Sequence, residues 1–149
     1  IKKSGPSKQH SEISIYPGIG YGSSGNKIRR FTAANLIKIG DALTYTADST
    51  NGDYFTILED GAYGVSWTDR GAGGINLGIS KNSNQLTPEI GAITAAHILV
   101  TAQAAAGQYT NIGTTFIGRA GDIIRVHDNG ASTGGDLMAK FRITQLSKF

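Results

Sequence analysis

The sequence predicts an all-β domain of the sandwich or jelly-roll kind, on three observations. Apolar residues recur with period two in one short segment after another. Glycine is abundant, 21 of 149 residues, and is scattered among those segments rather than set in a collagen period. Turn chemistry separates the segments at short spacing, which gives about ten strands.

The stretch that organises the rest runs from Gly52 to Asp69, GDYFTILEDGAYGVSWTD. Tyr54, Thr56 and Leu58 alternate with Phe55, Ile57 and Glu59, and Tyr63, Val65 and Trp67 alternate with Gly64, Ser66 and Thr68. The acidic-glycine link Glu59-Asp60-Gly61 between them predicts a β-hairpin. Its second strand buries the bulky side and is closely approached on the small side. Trp67, the only tryptophan, therefore belongs to the core.

From the start, residues 1–26 read as an N-terminal arm or linker and residues 27–149 as the domain. Lys2, Lys3 and Lys8 form a solvated basic tail, Ser11 to Tyr16 is a short strand or an extended arm, and Pro17 to Asn26 is a flexible Gly/Ser stretch. Gly20, Gly22 and Gly25 match the dinucleotide fingerprint in spacing, but Lys27 to Thr32 lacks the helical pattern which that motif must open. Alternation continues at Ile28, Arg30 and Thr32, then through Leu36–Ile39 and Ala42–Ala47. Ile75, Leu77 and Ile79 make the next strand, followed by an Asn/Ser-rich loop to Pro88. Glu89 to Gly107 mixes helical spacing with the apolar run Ile98–Thr101, and the company of strands favours a strand there. Tyr109–Arg119, Ile123–His127 and Ala139–Leu146 complete the set, the last stopping three residues short of Phe149.

The bulk numbers limit the functional classes. There is no cysteine, so no disulfide, Cys-ligated zinc or thiol nucleophile. The net charge of +3 is mild, and no dense basic run with interleaved aromatics points to nucleic acid. No apolar run approaches the ~20 residues of a membrane-inserted helix, and no signal-peptide pattern is present. Beginning at Ile1 rather than Met, the chain reads as a piece of something longer.

The order of motifs resembles a known family. GDYFTILEDGAYGVSWTD resembles the central hairpin of the C1q/tumour-necrosis-factor-like jelly roll. Gly121-Asp122-Ile123-Ile124-Arg125-Val126 is similar to a later strand start of that family, and Ala139–Leu146 to its last strand. More narrowly, Lys27–Thr32, Gly121–Arg125 and His127-x-x-Gly130 resemble the C1q-like domains near the C-terminus of bacteriophage tail fibres and tailspikes. The resemblance covers roughly residues 27–149, and Asn82–Gly91 with the alanine-rich stretch after it has no counterpart in it. It implies a ten-stranded jelly roll that forms a tight homotrimer. Such a module caps or trimerises a virion fibre or spike and/or binds a host-surface glycan or protein; the alternatives are a C1q-like adhesion module outside phage and, ranked below it, a glycan-degrading enzyme with an inter-subunit site. Other virion proteins would be partners, in a particle assembled from chains made in the host cytoplasm.

No enzyme is expected. His127, Asp128 and Ser132 have the residue types of a triad without its geometry, and no G-x-S-x-G elbow occurs. Among possible acid–base carboxylates, Asp60 and Asp122 read as turn formers beside glycine. No cofactor or metal is expected either. His10, His97 and His127 lack metal-ligand spacing. His127 reads as a half-exposed strand end that only a threefold axis would gather, and Asp128, Asn129 and Asp136 form at most a sparse oxygen set for calcium. Receptor contact is expected in loops carried on the rigid scaffold: Asp69 and Arg70, Asn82 and Asn84, and Asp128 and Asn129.

Overall fold

A computed structural model of the chain describes residues 10–71, 73–130 and 139–149. The basic tail residues Lys2, Lys3 and Lys8, together with Ser132 and Asp136, lie outside the described residues. The strands are β1 (Glu12–Ile15), β2 (Gly18–Tyr21), β3 (Arg29–Phe31), β4 (Ile37–Ile39), β5 (Leu43–Thr46), β6 (Tyr54–Ile57), β7 (Gly61–Asp69), β8 (Ile75–Lys81), β9 (Ile98–Ala104), β10 (Thr110–Gly118), β11 (Ile123–His127) and β12 (Lys140–Lys148). Two antiparallel five-stranded sheets, ordered β10-β7-β12-β1-β4 and β5-β6-β11-β8-β9, make the jelly-roll sandwich, and β2 pairs with β3 as a separate ribbon.

Period two turns alternate residues of each strand inward. The first sheet contributes Ile13, Ile15, Tyr63, Val65, Trp67, Phe141 and Ile143, and the second Leu43, Phe55, Ile57, Leu77, Ile79, Ile124 and Val126, all buried. Register aligns Ile13, Ile143 and Val65 in one row, and Phe141, Trp67 and Ile112 in the next. Phe55 meets Phe141 across the sheets with ring centroids 4.6 Å apart, and Phe31 on the ribbon sets its ring edge-on to Trp67 at 5.7 Å. The tryptophan is a core residue, as the alternation predicts.

The predicted hairpin at Gly52–Asp69 is a link between sheets instead. β6 pairs with β5 and β11, whereas β7 pairs with β10 and β12. Both segments bury alternate bulky residues, and the core between the sheets accepts them from opposite walls. The three residues between them have other work. Tyr63 donates its hydroxyl to the Glu59 carbonyl at 2.6 Å, and the Asp60 carboxylate accepts from the Ala120 backbone N–H at 2.9 Å.

Residues 11–26 fold into the domain rather than forming an arm, β1 in the sandwich and β2 in the ribbon. β1 lies between β12 and β4, pairing Ile13 with Ile143 and with Lys38. The Gly/Ser stretch is ordered into β2 and its turn, where the buried Asn26 side chain accepts from the backbone N–H of Gly22 and Ile28. A strand follows the glycines where the dinucleotide motif needs a helix. Arg29 and Phe31 point inward and Arg30 outward. β9 occupies the predicted apolar run; before it, single 3-10 turns at Ile90–Ala92 and Ala95–His97 account for the helical spacing. Ile90 seats against the second sheet where Gly78 has no side chain, for a Cβ there would stand 2.8 Å from the Ile90 Cβ. β12 runs on to Lys148 through a bulge between Gln145 and Ser147.

If β1 is structural, Ile13→Ala removes a fully buried side chain from between two strands, at an expected cost of about 2–5 kcal/mol. Urea unfolding checks this, and an unchanged midpoint would mean that β1 is dispensable.

Candidate functional site

The two sheets differ in what lies over their outer faces. Part of the second is covered by the segment that carries Ile90. No described segment covers the outer face of the first. The side chains there are small along β7, namely Ala62, Gly64, Ser66 and Thr68, because the bulky alternates face the core. Glu12, Arg142 and Thr144 flank them from β1 and β12, and Gly113 and Thr115 from β10. Arg142 Nε lies 3.1 Å from Glu12 Oε1, which also accepts from the Thr144 hydroxyl at 2.9 Å. The glycine at position 64 leaves a shallow groove of about 460 Å³ beneath Leu146. Apolar side chains rim this face: Ile37, Ile117 and Leu146 are 54%, 46% and 57% exposed. Flat, uncovered, partly apolar faces are one of the kinds of surface on which proteins associate.

The six loop residues expected to contact a receptor do not form one surface. Asp69 and Asp128 are fully buried and face each other across one end of the sandwich. Arg29 joins them, with Nε 3.4 Å from Asp69 Oδ2 and 3.5 Å from Asp128 Oδ2. The Tyr21 hydroxyl donates to Asp128 Oδ1, as does the Gly130 backbone N–H at 2.7 Å. The guanidinium lies over the rings of Tyr21 and Trp67, 5.3 and 5.9 Å from their centroids. Arg70 and Asn129 sit at this same end. Arg70 is over the Tyr109 ring at 4.8 Å, and Asn129 donates to the Gly74 carbonyl at 3.1 Å. Asn82 is at the opposite end. It adopts φ 60° and brackets the start of β11, donating to Asp122 Oδ1 and accepting from the Ile123 N–H, both at 2.8 Å. Asn84 is exposed in the loop beyond it. Asp60 and Asp122 hold the Arg119–Asp122 turn through backbone N–H groups, as turn formers do.

Arg29 was missed by the sequence reading, which followed the Ile28–Arg30–Thr32 phase. The signal was Phe31, whose inward direction carries residue 29 inward with it. A buried arginine needs carboxylates, and two stood at the ends of later strands. His127 is not half-exposed but fully buried, with Nε2 2.6 Å from Ser80 Oγ. It belongs to the second sheet, so copies from other chains packed on the open face of the first cannot meet it. Among the described residues, no group of His, Asp and Glu has the geometry of a metal site.

Burial pushes the Asp128 carboxyl up to about 7, against the opposing charge of Arg29 and the hydrogen bond from Tyr21. Burial, aided by the charge of Arg125, pushes His127 down to about 3. The two act on stability with opposite sign. Asp128 holds its proton more tightly in the folded state, so its contribution is complete below pH 3.8 and is lost as pH rises through about 7. The contribution of His127 is complete above pH 6.5 and is lost as pH falls toward about 3. Asp128→Asn removes the first and leaves the second. The melting temperature of the variant is expected to drop between pH 6.5 and about 4.5, where the parent chain stays flatter. Parallel melting profiles would show that Asp128 carries no raised carboxyl.

No protein-family model matches this sequence, and no curated protein sequence does. Solved structures match over nearly the whole chain. Pika GITRL superposes with a TM-score of 0.62 at 14% identity, covering 95% of this chain and 98% of that one. Murine APRIL gives 0.63 at 14%, with 93% and 100% covered. Bushbaby GITRL gives 0.59 at 13%, with 94% and 96% covered. At such identity the likeness is one of architecture: the chain is a jelly roll of the C1q/tumour-necrosis-factor kind.

Proposed function

We propose that the chain is a trimeric binding module of a virion, a phage fibre or spike domain. It caps or trimerises the assembly and presents loops to a host-surface glycan or protein. What supports self-association is the open face of the β10-β7-β12-β1-β4 sheet. Three such faces close around a threefold axis through heterologous contacts. Small residues on β7 let the backbones approach, while Leu146, Ile117 and Ile37 supply apolar area to the rim. The phage context is supported by the motifs at Lys27–Thr32, Gly121–Arg125 and His127–Gly130. Residues 121–127 form the turn into β11 and that strand itself. With Asp69 and Asp128 committed to the interior, receptor contact falls to Arg70 and Asn129 at one end and to Asn82 and Asn84 away from it.

No catalytic role is assigned. The pair of described side chains nearest in type to a catalytic dyad, Ser80 and His127, is sealed from solvent. A C1q-like adhesion module outside a virion is the second reading, and it uses the same face and the same trimer.

Light scattering on the purified chain tests the common part. The expected mass is three times 15.6 kDa. Gly64→Arg introduces a charge at the groove, where a Cβ has ordinary clearance of 3.6 Å from Leu146. It is expected to yield folded monomer whose melting temperature is lower than the trimer's and independent of protein concentration, as is Thr115→Arg. A parent chain that stays monomeric at tens of micromolar would overturn the trimer.

A further inference from the structure

Beyond self-association, we propose that the open face carries an oxyanion-binding cradle. It is formed by Ser66, Thr68, Lys140 and Arg142 and takes a tetrahedral sulfate or phosphate group, either free or borne on a saccharide. Pairing across β7 and β12 fixes the arrangement, since Ser66 stands opposite Arg142 and Thr68 opposite Lys140. Together these four residues line a cavity of about 200 Å³ with no carboxylate in its wall.

The hydroxyls are set up as donors. Asn111, opposite Thr68 on β10, directs its amide nitrogen at Ser66 Oγ (2.9 Å) and Thr68 Oγ1 (2.6 Å). That nitrogen also reaches the Trp67 carbonyl at 3.4 Å, an oxygen that only accepts, which fixes the orientation of the amide. Both hydroxyl oxygens therefore accept from Asn111, and each keeps its own proton to donate into the cavity. The charges agree. Glu12 offsets Arg142 through Nε, leaving the other guanidinium N–H groups and the whole charge of Lys140, whose Nζ rests 5.7 Å from the Tyr16 ring centroid. A wall made of two hydroxyl donors, a guanidinium and an ammonium selects an anion with several acceptor oxygens.

The cradle is complete within one protomer, so it does not require the trimer, although it lies on the face proposed to form it. Three faces brought together would gather three such net positive sites, and a bound oxyanion on each offsets their repulsion.

Titration calorimetry with sodium sulfate, a sulfated oligosaccharide and its unsulfated form tests the cradle, against a sodium chloride background of matched ionic strength. One sulfate per chain is expected, weakened roughly tenfold or more by Arg142→Gln and by Ser66→Ala combined with Thr68→Val, with melting temperatures unchanged. Tighter binding of the sulfated oligosaccharide than of sulfate identifies a carried group as the ligand, and equal binding identifies the free ion. No sulfate binding, or binding indifferent to these substitutions, overturns the cradle. Mass measured on the same samples reports the trimer separately. A sulfate-binding monomer would overturn the trimer and leave the cradle standing, and a trimer that ignores sulfate would do the reverse.

Discussion

The end of the sandwich depends on one buried guanidinium. Arg29 belongs to the ribbon, Asp69 ends β7 in the first sheet, and Asp128 follows β11 in the second. A single cation thus ties three parts of the fold, beside the backbone bridge that joins Ile28 to His127. Removing charges from water is costly, and the cost is recovered only with close, well-directed partners. The surroundings provide these in part: two carboxylates within 3.5 Å of Nε, which itself makes no hydrogen bond among the described residues, the Gly20 carbonyl at 3.4 Å from Nη1, and the faces of Tyr21 and Trp67. Gly18 is glycine for the same reason, since a Cβ there would stand 2.7 Å from the Arg29 Cζ. The ribbon therefore has to sit where it does, and Phe31, two residues along, is delivered to the aromatic centre of the core.

From that anchoring follows the division between the two faces of the first sheet. The inward row of β7 is Tyr63, Val65 and Trp67, and it must be large to reach the opposite wall. The outward row is small, so its neighbours on β12 and β10 determine the character of the face. Toward Leu146 the face is apolar and hollow. Toward Lys140 it is polar and positive. One strand pair thus offers a packing surface at one end and a charged recess at the other.

Most strands were legible because half-buried β-structure writes a period of two into the chain. That period is local, and it does not state which strand is the neighbour. Ile57 and Gly61 are four residues apart, and nothing in their spacing separates a hairpin from a crossing between sheets. β1 was underrated because four residues of alternation carry little signal, and its burial comes from partners far along the chain. Asp69 and Asp128 were read as solvent-facing because acidic residues where a strand runs out into a polar loop usually are. Their burial is decided by Arg29, whose own inward direction is visible only once Phe31 is taken as core. The cradle was out of reach for the same reason: Ser66, Thr68, Asn111 and Arg142 come from three strands and converge only through register.

β12 is the middle strand of the first sheet, and its neighbour on one side is β1. The hydrogen bond from Thr144 to Glu12 spans 132 residues of chain. During synthesis, then, β1 waits for β12, and the centre of this sheet cannot close until β12 has been made. Contacts of such long range are slow to form. The outer face of that sheet is built from both strands, so a nascent or truncated chain has no such face to offer. The self-association proposed above would thereby be reserved for chains in which β12 has been made and paired with β1.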